Sequence, residues 1–501
     1  MSTGERALRN TFFHALHIGL QMGGGLVTAV IIARSLGPDA TGKYNLALWL
    51  VGFLLIPAAF GVPNALTKYF SEYLGRGQRE VASGLARYFW GRQSLIAVLV
   101  TIAGSAVIAL WPGLADRKLL LLAMPLLLVT ALREGVQGVL AGAQDYRRIA
   151  VMSTVGMVVQ IAGVAAASLL RSGIEATLLA VLAANAAAGA AGAAAMRHIV
   201  GRRTPTLPPE TKSRIWGFVR TSVWLSVFYA VLWQRFEVIL LGRLSVAAEI
   251  AFFGIAYSVA EKLEALAQTF TAVLMPVSSE RYGASQRDIA ALGRVYQQSV
   301  RYVQMVIVPL CLLGIAIARP LAQLLFGEVF TKVGPVLQVV LLAVMFTTLG
   351  GVAWSLLYAA ERERTILRLW MPFAALDMAL ATSAIPEWGA LGAAAAKAVA
   401  QTSCVLVALM VLGRIVNARF PWNATLRIYL AAMLAAAPAM VAAYLRAPES
   451  WLLVLALAGA VIYIPLLRVF GAWTAREARL LRSIFERPAS RGDLPGSAAS
   501  R

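Results

Sequence analysis

Nine charged side chains interrupt runs of residues that are otherwise built for lipid: Arg133, Glu134, Arg235, Glu237, Glu261, Lys262, Glu264, Asp377 and Lys397. A charge near the centre of a bilayer costs at least a few kcal/mol even on lenient insertion scales, so such residues face a bundle interior or a wet cavity and serve a pathway. Buried cations, Arg above all, suit a phosphate-bearing anion, which they meet with paired donors. Carboxyls at the same depth suit the uptake and release of a coupling ion. The number and mixed sign of these groups point to transport.

Their spacing gives each a direction. Arg133 lies one helical turn before Gln137 on the same face of MPLLLVTALREGVQGVLAG, which makes a polar pair, while Glu134 points about 100° away. A contact with a translocated anion competes there with a structural ion pair to a neighbouring helix. Arg235 and Glu237 project to nearly opposite sides, so they call for different partners. Tyr257, Glu261, Glu264 and Gln268 recur at i, i+4, i+7 and i+11 and form one stripe, with Lys262 on its flank. Asp377 has no base at i±3 or i±4 and needs a partner on another helix, for which Lys397 is a candidate. His14, His17 and Gln21 line the first apolar run at i, i+3 and i+7, a pattern that favours hydrogen bonding between helices over a proton relay.

These groups sit on elements that must cross a membrane. The chain has 501 residues, is 59% hydrophobic and only 14% charged. Its apolar residues fall in runs of roughly 20, enough to span about 30 Å of hydrocarbon as helix. The runs are 11-33, 45-67, 93-111, 119-141, 150-169, 177-196, 219-241, 250-276, 303-318, 336-359, 369-385, 392-412, 428-445 and 451-470, fourteen in all. The fold class is therefore an all-α polytopic membrane protein. The short basic start before the first run lacks a convincing cleavage site, so that run reads as a retained helix.

With the N-terminus placed in the cytoplasm, 31 of the 45 Lys and Arg residues lie on the cytoplasmic side and nine on the other, which supports both termini inside. The same distribution accounts for a net charge of +21 without nucleic acid, because the basic residues are spread over many short loops. Residues 68-92 and 279-302 read either as basic interfacial helices with aromatic anchors or as solvated loops. Cys311 and Cys404 lie within apolar runs and suggest neither a disulfide framework nor a metal site.

The polar linker RHIVGRRTPTLPPETKSRI (197-215) divides the chain. The expected organisation is a six-helix bundle over 1-196, the linker, a second bundle over 216-412, two additional helices over 413-470, and a partly disordered tail over 471-501. A weak alignment at an offset of 209 residues places RSLGPDATGKYNLA over RLSVAAEIAFFGIA. Six spans separate the copies, so they are expected as parallel repeats about an axis along the membrane normal, with the cavity between them.

Several segments carry a family likeness. IARSLGPDATGKYNLALWLVGFLLIPAAFGVPNALTKYFSEYLGRG (32-77) resembles the first helical pair of lipid-linked oligosaccharide flippases, the O-antigen and exopolysaccharide branch of the multidrug/oligosaccharidyl-lipid/polysaccharide exporter superfamily. WQRFEVILLGRLSVAAEIAFFGIAYS (233-258) resembles that family's seventh helix, with Arg235 and the acid Glu237 before the LG turn. RPLAQLLFGEVFTKVGPVLQVV (319-340) and WGALGAAAAKAVAQ resemble its tenth and twelfth helix openings.

The resemblance implies alternating access and passage of a polyprenyl-diphosphate-linked glycan from the cytoplasmic to the periplasmic leaflet of the bacterial inner membrane. The substrate-contact candidates are Arg133, Arg235, Lys262, Lys397, Gln137 and Tyr257. Those for coupling to a proton or sodium gradient are Glu237, Glu261, Glu264 and Asp377. No cofactor or catalytic residue is expected; polysaccharide synthesis machinery is a candidate partner.

Relatives that flip lipid II place Arg and Asp in the first helix where this chain has Val27-Thr28-Ala29-Val30, which favours a surface glycan. A multidrug or cation antiporter, the other alternative, would want an acid-dominated cavity. A membrane-embedded polymerase or ligase would want a large periplasmic loop and a nucleophile with its base, and neither is visible.

Overall fold

A computed structural model describes residues 3-111, 116-201, 207-233, 236-284, 289-359 and 362-473. Its helices are α1 (Thr3–Ala59), α2 (Val62–Gly75), α3 (Arg79–Leu110), α4 (Arg117–Gly142), α5 (Tyr146–Leu169), α6 (Gly173–Arg197), α7 (Pro209–Trp233), α8 (Glu237–Leu244), α9 (Ala247–Ala284), α10 (Ile289–Phe326), α11 (Val333–Thr347), α12 (Gly350–Ala359), α13 (Glu363–Ile415), α14 (Trp422–Tyr444) and α15 (Glu449–Val469). Where described, each of the fourteen apolar runs is mostly helical, and 45-67, 219-241 and 336-359 each extend over parts of two helices. Ten helices among the described residues are long and apolar enough to cross a membrane.

Two of these are bent in the middle. In α1, Gly37 (φ 75°, ψ 176°) followed by Pro38 breaks the helix into two arms. In α13, Gly389 (φ 53°, ψ −127°) does the same. Glycine tolerates φ > 0 without the clash that a Cβ would make, so a single residue reverses the chain between consecutive spans. The second run departs from the expected 45-67. It stops where Phe60 (φ 50°) and Gly61 (φ 67°) turn left-handed, and α2 starts afresh with Pro63 in its first turn, where a missing N–H costs nothing.

The chain divides into two compact units. One comprises 1-266, 318-347 and 360-408; the other comprises 267-317, 348-359 and 409-501. In the first, α5 packs on α6 through small residues: Gly156 meets Ala188, and Gly163 meets Ala180. Such contacts let backbones approach where lipid removes the hydrophobic drive for association. α4 crosses the unit's interior, burying Leu119, Leu120, Ala123, Met124, Leu126 and Leu127.

In the second unit, the Tyr463 hydroxyl donates to the Met305 carbonyl (2.9 Å) and the Tyr296 hydroxyl to the Leu409 carbonyl (3.3 Å). Gly459 of α15 lies against the Ala435 carbonyl of α14.

Candidate functional site

The most buried charges in the first unit form a three-membered cluster. Lys397 (1% exposed) donates from Nζ to Glu237 Oε1 at 2.9 Å and lies 3.9 Å from Asp377 Oδ2. Glu237 and Asp377 are themselves 1% and 4% exposed.

Asp377 and Lys397 stand on the two arms of α13, twenty residues apart. A straight helix would separate them by about 30 Å, so it is the turn at Gly389 that brings them together. Glu237 is the first residue of α8, and at this end the helix dipole favours a carboxylate. The sequence offered Lys397 to Asp377; the closer partner is Glu237, and the Lys397 charge is neutralised inside the helix packing. Glu237 Oε2 and Asp377 Oδ1 are buried and accept no hydrogen bond among the described residues.

Glu249 fixes the turn that builds this cluster. Its Oε2 accepts the backbone N–H of Ala390 at 2.8 Å, at the start of the second α13 arm, and its Oε1 is 3.6 Å from Lys332 Nζ. An acid accepting a first-turn N–H serves as an N-terminal cap and complements the dipole. Sequence reasoning placed no role on Glu249, since Ala390 lies 141 positions away and no local pattern connects the two.

A second polar locus surrounds Arg133 on α4. Gln93 (0% exposed) donates from Nε2 to the Ala131 carbonyl at 2.7 Å, and Trp90 Nε1 donates to the Leu132 carbonyl at 3.2 Å. Gly135 permits that approach, because a Cβ there would sit 2.5 Å from Gln93 Oε1 and 2.6 Å from the Trp90 ring. On the other side Gly189 of α6 faces the Arg133 Cβ. Arg133 Nε is buried and finds no hydrogen-bond partner among the described residues, and Gln93 Oε1 is in the same state. Gln137, one turn on, is partly buried. No ion pair to Arg133 forms among the described residues.

The remaining candidates distribute unevenly. Lys262 is partly buried, and its Nζ lies 3.9 Å from where a Gly25 Cβ on α1 would stand. Tyr257 is buried and packs on Phe253 with ring centroids 4.6 Å apart. Glu264 is partly buried, whereas Glu261 and Gln268 are exposed, so burial alternates along the stripe. Arg235 lies outside the described residues, as does the side chain of His14. His17 Nδ1 pairs with Ser153 Oγ at 2.5 Å across α1 and α5, the helix-to-helix bond expected for it.

Residues 7-281, more than half the chain, match the family described as "Polysaccharide biosynthesis protein". No curated protein matches the chain. Among solved structures, the fold is similar to that of lipid II flippase MurJ in its inward closed conformation, at TM-score 0.70 and 14% identity over 95% of this chain and 100% of that one. It is also similar to an inward-facing multidrug resistance MATE family transporter of the MOP superfamily, at TM-score 0.65 and 14% identity over 79% and 94%. A further likeness, at TM-score 0.54 and 13% identity over 82% and 95%, is to a MOP superfamily transporter from Pyrococcus furiosus.

Proposed function

The chain belongs to the polysaccharide biosynthesis protein family, and we propose that it is a flippase moving a polyprenyl-diphosphate-linked oligosaccharide from the cytoplasmic to the periplasmic leaflet of a bacterial inner membrane. The observation that carries this reading is Arg133: a guanidinium at membrane depth whose buried Nε has no partner among the described residues. An unpaired buried donor costs about 1–3 kcal/mol, more when charged, and an anionic substrate removes that cost on binding. Diphosphate oxygens are suited to the paired donors of Arg. Lys262, with Nζ close to Gly25, is the second cationic contact; Gln137 and Tyr257 complete the set, with Arg235 retained on the strength of its position in the sequence.

Lys397 takes a supporting role in this scheme, because its charge is engaged by Glu237. The cluster around it holds two carboxyl groups and one ammonium, with one oxygen on each carboxyl free of hydrogen bonds among the described residues. It therefore has capacity for one further positive charge, a proton or a sodium ion, whose passage would drive the cycle. Glu261 and Glu264 are the alternative coupling groups.

Lipid II is the competing substrate, favoured by the fold likeness to its flippase. Against it stands the buried Thr28, whose hydroxyl donates to the Gly24 carbonyl at 2.8 Å, in a stretch of α1 that carries no charge.

Binding to detergent-solubilised protein tests the assignment. Polyprenyl diphosphate should bind more tightly than the monophosphate, and Arg133→Ala should lower diphosphate affinity by about 10- to 100-fold, the loss of a charge-assisted hydrogen bond. Arg133→Lys should fall between the two. Equal affinities in wild type and Arg133→Ala would remove Arg133 from the path.

A further inference from the structure

A concentration of positive charge is formed by residues to which the proposed path assigns no role. α2 with its C-cap, the first half of α3 and the start of α7 bring together Lys68, Arg76, Arg92, Lys212 and Arg214, with Glu72 among them and Glu80 and Glu210 in the first turns of α3 and α7. Arg76 pairs with Glu72 at 2.6 Å and Arg214 at 3.1 Å, so that one carboxylate is already shared by two guanidiniums. The other three cations rest on aromatic faces. Lys68 Nζ lies 4.5 Å from the Phe218 ring centroid and 5.3 Å from that of Tyr69. Arg92 and Lys212 both approach Tyr88, at 5.5 and 5.0 Å. None of these three forms an ion pair among the described residues. Ring quadrupoles hold the cations in place without cancelling their charge, and two like charges on one ring repel. An anion between them would relieve that repulsion.

The position of the patch indicates which anion. α3 is 32 residues long, about 48 Å, against about 30 Å of hydrocarbon. Its second half is lipid-facing: Leu95, Leu99, Ile102, Val107 and Leu110 are all more than half exposed. Its first turns, which carry exposed Arg79 and Arg87 and lead to Arg92, therefore stand at headgroup level.

α2 does not insert into lipid by its apolar face. Val62, Ala65, Leu66, Tyr69, Phe70 and Tyr73 are buried within the protein, packed with Phe89, Ile215 and Val219. What the segment offers outward is its charged face alone. We propose that Lys68, Arg92 and Lys212, with Arg76 and Arg214 at the rim, form a binding site for the phosphodiester headgroup of an anionic phospholipid. The membrane at that end would then hold α2 and the linker-proximal turn of α7 in register.

Native mass spectrometry of the full chain tests this directly and reads nothing of glycan transport, so its outcome is separate from that of the flippase reading. Offered phosphatidylglycerol and phosphatidylcholine with the same acyl chains, wild type should retain the anionic lipid several-fold in excess, and added salt should reduce the excess. The Arg92→Gln/Lys212→Gln variant should lose it, whereas Arg92→Lys/Lys212→Arg and the control Arg446→Gln should keep it. Equal retention of both lipids by wild type would overturn the proposal and leave an acidic protein surface as the occupant. Undiminished preference in Arg92→Gln/Lys212→Gln, or equal loss in Arg446→Gln, would also overturn it; the charge-conserving variant separates loss of the site from misfolding.

Discussion

Lys397 is flanked by Glu237 at 2.9 Å and Asp377 at 3.9 Å and is almost wholly out of solvent. Breaking a buried pair strands a charge and costs about 3–5 kcal/mol, whereas removing both partners of the closer pair leaves only the Asp377 carboxyl to be accommodated. Lys397→Met should therefore lower the thermal midpoint of the purified protein sharply. Lys397→Met/Glu237→Gln should be less destabilised than the sum of its single variants, by coupling of about 0.5–3 kcal/mol. Strict additivity in that cycle would mean that the contact is energetically idle. The depth of Arg133, Asp377 and Lys397 was legible in the sequence, because charges in a hydrophobic run stand out whatever the fold. The pairing of Lys397 with Glu237 was not, since 160 residues separate them and each has helical neighbours that give no hint of the other. Gln93 and Trp90 escaped notice for a related reason: both donate to backbone carbonyls of α4, and a carbonyl leaves no trace in sequence.

The elements that place these groups depend on two chain reversals within single long helices. A Cβ on Gly389 would lie 2.7 Å from Glu249 Oε2 and at a φ of +53°, so Gly389→Ala combines backbone strain with displacement of the Ala390 cap. It should destabilise the protein by about 1–3 kcal/mol. Glu249→Gln, which keeps a side-chain acceptor for that N–H, should cost less; thermal denaturation that ranks the two in the opposite order would contradict this account of the turn. Gly42 offers a companion case, because a Cβ there would collide with the Ala247 carbonyl where α1 meets the start of α9. Gly42→Leu should be poorly tolerated in the same assay. Apolar runs of about 20 residues made the helical frame readable from sequence. The end of the second run was not readable: Phe60 and Gly61 turn left-handed amid unbroken hydrophobicity, and hydropathy does not register a backbone reversal.

At the scale of the whole molecule, a fold similar to that of the MurJ and MATE transporters holds Arg133, its buried Nε without a hydrogen-bond partner among the described residues, in one locus and an acid-rich cluster in another. If the Glu237–Asp377–Lys397 cluster takes up the driving ion, translocation in vesicles should respond to either the proton or the sodium gradient, and Asp377→Asn should abolish that response while leaving substrate affinity within about twofold of wild type. A response that survives Asp377→Asn would shift coupling to Glu261 or Glu264. The most direct measurement is leaflet-to-leaflet transfer of a labelled polyprenyl-diphosphate oligosaccharide in proteoliposomes containing wild type, Arg133→Ala or Arg133→Lys. Wild type should transfer the lipid rapidly, Arg133→Ala should be slower by at least about tenfold and Arg133→Lys should recover part of the rate, whereas transfer by Arg133→Ala at the wild-type rate would remove Arg133 from the path.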